Sequence, residues 1–453
     1  MQHKIAILCL AVLLISFMCN ASAGEPLTAE QWLQKGNDAV QNRDYKEAVS
    51  AFTEAITLNP DLAEAYLNRS ASFKLMGRYD EAVADYTKII ELDPRKFEVY
   101  VARAQVYIAQ RRFKQALADY TKIIELNPDT AWVYYLRGSL CRNMGEFDMA
   151  LADYTKLIEL APRNSTNYFE RGNIYYAQGQ WEQAIADYTK AVELAPNFRA
   201  AYHGRGLAYQ RLEQFDKALE DHSKAIELAP KNADAYYGRG NAYKAKGQPE
   251  QAVVDYTKTI ELNARHFDAY HMRGVAYADL GQIELAIYNF DKAIELSPRF
   301  ASAYLHRGQA FQAKGQSEQA LSDYTKAVEI DPWNAEAYRN RGVVYKSKGQ
   351  MVQALADFSK TIELDPNNTQ AYNERGLAYE ANHQYKQAMS DYDKAISMNA
   401  KYAEAYFSKG LLYAKQGYKA KAIQAFRAYL QYAPPNDPGV ETARRWILEL
   451  GGS

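Results

Sequence analysis

Cysteine is scarce in this 453-residue sequence: of three copies, Cys9 and Cys19 lie in the N-terminal apolar run, leaving Cys141 alone beyond it. No disulfide framework can form from one thiol, so packing must hold the fold. Neither charge sign dominates, with 54 Lys and Arg against 55 Asp and Glu, which argues against a nucleic-acid partner. Proline is limited to 14 residues while 48% of the chain is hydrophobic, a composition that excludes a disordered chain. After the N-terminus no apolar run reaches the ~20 residues of a spanning helix. Catalytic signatures are missing too. There is no phosphate loop, HExxH, GxSxG or CxxC, and Gly204-Arg205-Gly206 is only a fragment of a glycine motif. Among His203, His222, His266, His271, His306 and His383, no two have the i, i+4 spacing of a helical metal pair. These absences predict a non-enzyme with no cofactor, metal or catalytic residue.

What is present begins with a leader. Lys4, the apolar stretch from Ile5 to Met18, and the small residues Ala21-Ser22-Ala23 read as a secretory signal over 1–23, cut after Ala23. The expectation is an exported protein, periplasmic or secreted, that does not span a membrane once processed. A lipid anchor at Cys19 is the rival, but Ser16-Phe17-Met18 matches a lipoprotein cleavage box poorly.

Tyrosine is in excess, with 37 copies against 16 phenylalanines, and a repeat accounts for it. Pro60, Pro94, Pro128, Pro162, Pro196 and Pro230 are 34 residues apart, and the series resumes at Pro298, Pro332, Pro366 and Pro434. With position 1 at Ala29, position 4 is aromatic in all twelve copies, from Trp32 and Tyr66 to Tyr406, and position 20 is always alanine, Ala48 to Ala422. Position 8 is usually glycine and position 24 usually aromatic. Apolar residues three or four apart, as in Tyr79, Ala82, Val83, Tyr86 and Ile89, mark an amphipathic helix. A second stripe, Tyr66 to Phe73, precedes it. Gly77, Gly145, Gly179 and Gly247 fall between the stripes, where a left-handed residue can end a helix. Each copy is therefore a helical hairpin that must lean on its neighbours to bury its apolar faces.

This residue set resembles the tetratricopeptide repeat family. The resemblance covers residues 29–436 and implies an all-α, right-handed superhelical solenoid. A short linker and N-cap, 24–28, precede the twelve repeats; Thr28 and Gln31 there form a capping-box signature. Residues 437–453 read as a C-terminal capping helix with Val440, Ala443, Trp446, Ile447 and Leu450 on one face.

Position 7 is arginine in ten repeats, and position 23 is aspartate in nine of those ten, with Asn289 in repeat eight. Repeats one and twelve combine lysine with alanine instead: Lys35 with Ala51, and Lys409 with Ala425. This co-occurrence predicts that positions 7 and 23 touch within a repeat, chosen because guanidinium engages carboxylate bidentately. His222 at position 24 and Cys141 at position 11 stand where core rings stand in other repeats, so packing is the expectation for both.

In proteins similar to this one, positions 2, 5, 9, 12 and 13 line a ligand groove. Here those positions gather rings in repeats four to eight: Trp132, Tyr135, Phe169, Tyr176, His203, Tyr237 and His271. Donors lie between them, including Arg142, Asn173, Arg211, Asn241 and Lys244. Exposed rings beside donors suit a contact surface. The expected function is a protein-interaction scaffold outside the cytoplasm, binding a protein or peptide in that groove, with binding of an envelope polysaccharide as the alternative. The fold leaves the partner open.

Overall fold

The structure, a computed structural model, describes residues 26–452. The signal reading over 1–23, with Cys9 and Cys19, lies outside the described residues. Among the described residues there are twenty-five helices and no strand. They form two compact bodies that divide within the helix Arg199–Arg211, one ending at Gly204 and the other beginning at Arg205.

Each repeat is a pair of antiparallel helices, such as Ala63–Leu75 with Tyr79–Leu92 in the first body and Ala301–Ala313 with Ser317–Ile330 in the second. Thr28 opens the first helix, Ala29–Gln41, with the expected reciprocal capping box to Gln31. Between paired helices the chain reverses through one left-handed residue: Gly77, Gly145, Gly179 and Gly247 have φ of 72°, 80°, 74° and 77°. In four repeats that left-handed position is taken by Arg43, Arg111, Glu213 and His383, at φ of 57–60°, a conformation that side chains with a Cβ disfavour. The glycines of position 8 serve another purpose. A Cβ on Gly308 would meet Cε1 of Tyr324 at 2.7 Å, so the bare backbone lets the position-24 ring lie flat against the first helix. Tyr154, Tyr256, Phe290, Tyr324, Phe358, Tyr392 and Phe426 are all fully buried there, each ring contributing about 2–3 kcal/mol of apolar transfer. His222 is buried in the same place, between Gly206 and Gly238.

The tyrosines at position 4 explain why that ring carries a hydroxyl. Tyr100 and Tyr134 donate to the carbonyls of Pro94 and Pro128 at 3.2 and 3.0 Å, and Tyr304 reaches Pro298 likewise. Each ring thus packs in the core while its tip ties down the loop that enters its repeat.

Positions 7 and 23 touch as expected. Arg69 donates to Asp85 through Nε and Nη2 at 2.9 and 2.7 Å, and Arg137 does the same to Asp153 at 3.0 and 2.7 Å. The remaining nitrogen reaches back to position 25 of the preceding repeat: Arg103 Nη1 to Thr87 at 2.9 Å, Arg239 Nη1 to Ser223 at 3.1 Å. The clamp therefore joins repeats as well as closing each one. In repeat eight the carboxylate is replaced by the single amide oxygen of Asn289, which accepts from Arg273 at 2.8 Å, while Arg273 Nη1 still reaches Thr257 at 3.0 Å and Asp291, two residues after Asn289, serves Arg307 of the next repeat. The lysines of the end repeats are paired too, Lys35 with Glu47 and Lys409 with Asp393.

The last helix, Gly439–Glu449, begins just after Pro438. It buries Val440, Ala443 and Ile447 and stacks Trp446 on Phe426, ring centroids 6.3 Å apart.

Candidate functional site

The first helices carry the candidate side chains, and in repeats five, seven and eight an aromatic residue at position 34 packs over the one at position 5. In repeat five, Phe169 lies 4.9 Å from Phe198 and 5.8 Å from Tyr188, centroid to centroid. In repeat seven, Tyr237 lies 4.7 Å from His266 and 5.8 Å from Tyr256. His271 in repeat eight is packed by Phe300 and Phe290 and is only 7% exposed. Phe198, His266 and Phe300 all occupy position 34, and each covers the position-5 ring of its repeat. This corrects the expectation of open rings: Phe169 and Tyr237 are half-buried and His271 is core. His203 is likewise half-buried.

In repeat four position 34 carries no ring: Asn164 there caps the helix Ser165–Ala177 by accepting from Thr166 N. Tyr135 is 40% exposed, standing edge-on to Tyr154 at 6.1 Å, and Trp132 is 43% exposed beside Phe97. The same helix, Ala131–Met144, bears Arg142, which pairs with Glu170 of repeat five. Glu170 also accepts from Asn173 Nδ2 at 3.5 Å, so Tyr135, Arg142, Glu170 and Asn173 form one neighbourhood inside the first body. Within it lies the hydroxyl of Tyr154, buried and with no hydrogen-bond partner among the described residues. Burial and the nearby Glu170 carboxylate push its pKa upward, so it is a neutral donor.

In repeats five and seven the corresponding hydroxyl is satisfied. Tyr188 donates to Asn173 Oδ1 and Tyr256 to Asn241 Oδ1, both at 2.8 Å. Asn173 and Asn241, candidates for ligand contact, thus hold core tyrosines. Repeat four has Ser139 at that position, and Arg142 turns to Glu170 instead.

The remaining candidates are more dispersed. Tyr176 is half-buried beside Tyr188, and Arg211 is exposed at the end of its helix. In the second body Lys244 is 3.5 Å from Asp279. Nε2 of His271 is 3.1 Å from Nδ1 of His306, which also contacts the Ser302 carbonyl at 2.7 Å. Burial first, then His306 and Lys244, push the pKa of His271 down to about 3, so its ring is neutral. Sequence reading missed Glu170. Its signal is a 28-residue offset from position 12 to position 6 of the next repeat, seen again where Lys346 meets Glu374.

Cys141 is fully buried, and burial pushes its thiol up to about 11, so it is protonated and inert. Among the described residues no three His, Cys, Asp or Glu side chains cluster as metal ligands, and no helix is long and apolar enough to cross a membrane.

Comparison with known proteins places this architecture. Hsp70-Hsp90 organizing protein 1 of Arabidopsis thaliana is 40% identical over 53 residues, which is 12% of this chain and 9% of that relative's own length. The solved structure of YrrB, a TPR protein with an unusual peptide-binding site, is 29% identical and covers 41% of this chain and 95% of its own, with a TM-score of 0.35. The Cut9-Hcn1 hetero-tetramer of APC/C is 16% identical over 97% of this chain and 99% of its own, with a TM-score of 0.47. Models of the TPR repeat match residues 172–213, 211–247, 274–315 and 308–349. Models of the tetratricopeptide repeat match 33–97, 75–140, 131–164, 153–186, 233–266, 335–368 and 373–439. Tiled by these signatures from residue 33 to residue 439 with two short gaps, and folded throughout as helical pairs, the chain belongs to the tetratricopeptide repeat family.

Proposed function

We propose that this protein is a non-catalytic interaction scaffold that holds an extended segment of a protein partner against the first helices of repeats four and five. The observation that carries the reading is local to repeat four. Trp132 and Tyr135 are exposed together on one first helix, whereas Phe169, Tyr237 and His271, which stand at the place of Tyr135 in repeats five, seven and eight, are covered. The two rings supply apolar contact to a bound peptide, and the Arg142–Glu170 pair offers polar groups at the edge. Rings and an arginine gathered at one place are the usual anchors of a protein contact. The site of action we propose is outside the cytoplasm, a reading that rests on the residue pattern of 1–23.

A second reading follows from the same two rings, whose flat faces suit the stacking of sugars in an envelope polysaccharide. Both readings are tested by presenting the purified protein and a Trp132→Ala/Tyr135→Ala variant to envelope extracts and to a glycan panel, after matching their helical circular dichroism. A protein captured by the parent and lost by the variant supports the scaffold. Glycan binding lost by the variant supports the second reading, and unchanged capture by the variant rejects this site for both.

A further inference from the structure

The clamp at positions 7 and 23 is incomplete at both ends of the array, and the two ends differ in what replaces it. In repeat one, Ala51 stands where an aspartate stands elsewhere, and Glu47 at position 19 supplies the carboxylate, 2.9 Å from Lys35. In repeat twelve, Ala425 leaves the same place empty, but position 19 is Lys421. A second cation has taken the place of the substitute acid. The result is a cavity of about 280 Å³ lined by Tyr406, Lys409, Tyr413, Lys421 and Ala425. Both ammonium groups lie over the ring of Tyr413, Lys409 at 5.7 Å and Lys421 at 5.6 Å.

The second body contains a template for what is missing. Arg307 holds two carboxylates at once, Asp291 from position 25 of the preceding repeat at 2.5 Å and Asp323 from its own position 23 at 2.7 Å. Lys409 keeps the first of these, as Asp393, and lacks the second. The surrounding charge favours an anion: repeat twelve, residues 403–436, has one acid, Glu404, against Lys409, Lys415, Lys419, Lys421 and Arg427. The chain as a whole is balanced to a net charge of -1.

We propose that the repeat-twelve cavity binds a carboxylate from outside the chain, seated where the position-23 aspartate lies in the other repeats and held by Lys409 and Lys421. The ligand is a carboxylate carried by an acidic side chain of a peptide or by a small dicarboxylate, with Tyr406 and Tyr413 contacting its apolar part. Because the ammonium groups are partly solvated, binding weakens with ionic strength. The site is separate from repeats four and five, so its failure leaves that reading standing.

The test is calorimetric titration of the purified protein at low salt with glutarate, with acetyl-Gly-Asp-Phe-amide and with acetyl-Gly-Asn-Phe-amide. The carboxylate probes bind saturably, and the Asn peptide binds about tenfold more weakly or not at all, as removal of one close charge partner requires. Ala425→Asp fills the place from within and reduces carboxylate affinity about tenfold or more, and Lys421→Gln does the same. A tighter Asp peptide assigns the site to peptides, and tighter glutarate assigns it to free dicarboxylates. Equal binding of the Asp and Asn peptides, undiminished binding in Lys421→Gln, or no saturation by either carboxylate overturns the proposal. Thermal unfolding of Ala425→Asp verifies its fold; Lys421→Gln, changed only at an exposed side chain, carries the test if that variant is damaged.

Discussion

Asp153→Ala removes the acceptor of two guanidinium hydrogen bonds and leaves Arg137 in place, its side chain 14% exposed. The only contact remaining from the clamp is Nη1 to Thr121 Oγ1 at 2.9 Å. Stranding a largely buried cation in this way costs about 3–5 kcal/mol. Asp153→Asn keeps one acceptor, as Asn289 does for Arg273 at 2.8 Å, and costs about 1–2 kcal/mol. Urea unfolding followed by helical circular dichroism gives the total cost, and hydrogen exchange in the helix Phe147–Leu160 locates it. An Asp153→Ala cost below about 0.5 kcal/mol, ordinary for a surface change, refutes the clamp, as does an Asn variant equal to the Ala variant.

Gly308→Ala places a methyl 2.7 Å from the buried ring of Tyr324, and denaturant unfolding is expected to show a loss of about 1–3 kcal/mol from overpacking. Arg111→Gly relieves a left-handed residue at φ 58° and is expected to raise stability by about 1 kcal/mol, read as a higher denaturation midpoint. His271, with its folded pKa near 3, contributes stability fully above its unfolded value of about 6.5 and loses it as pH falls toward 3. Below pH 6.5 the parent loses up to about 1.4 kcal/mol per pH unit through this ring, a slope absent from His271→Gln in unfolding curves measured across that range.

The period, the ring positions and the tight glycines were legible because a contact repeated twelve times leaves twelve copies of its residues. Pairing of positions 7 and 23 was legible for the same reason, through the two repeats where both change. The hydroxyl or acid at position 25, which binds arginine from the preceding repeat, was not, since Thr87 and Ser223 read as ordinary polar helix residues. Nor was the exposure of the rings. The cover over His271 comes from Phe300, twenty-nine places later, while Tyr135 has Asn164 at that offset and stays open. Asn173 and Asn241 have the positions of ligand donors in sequence, which does not show the tyrosine hydroxyls they accept from.

The most direct test of the scaffold reading puts a photoreactive phenylalanine analogue at Tyr135 in one sample, and at the exposed second-helix residue Val254 in another, and irradiates each with envelope extract. The account predicts a discrete protein adduct from Tyr135 and none from Val254; an adduct from Val254 alone contradicts it.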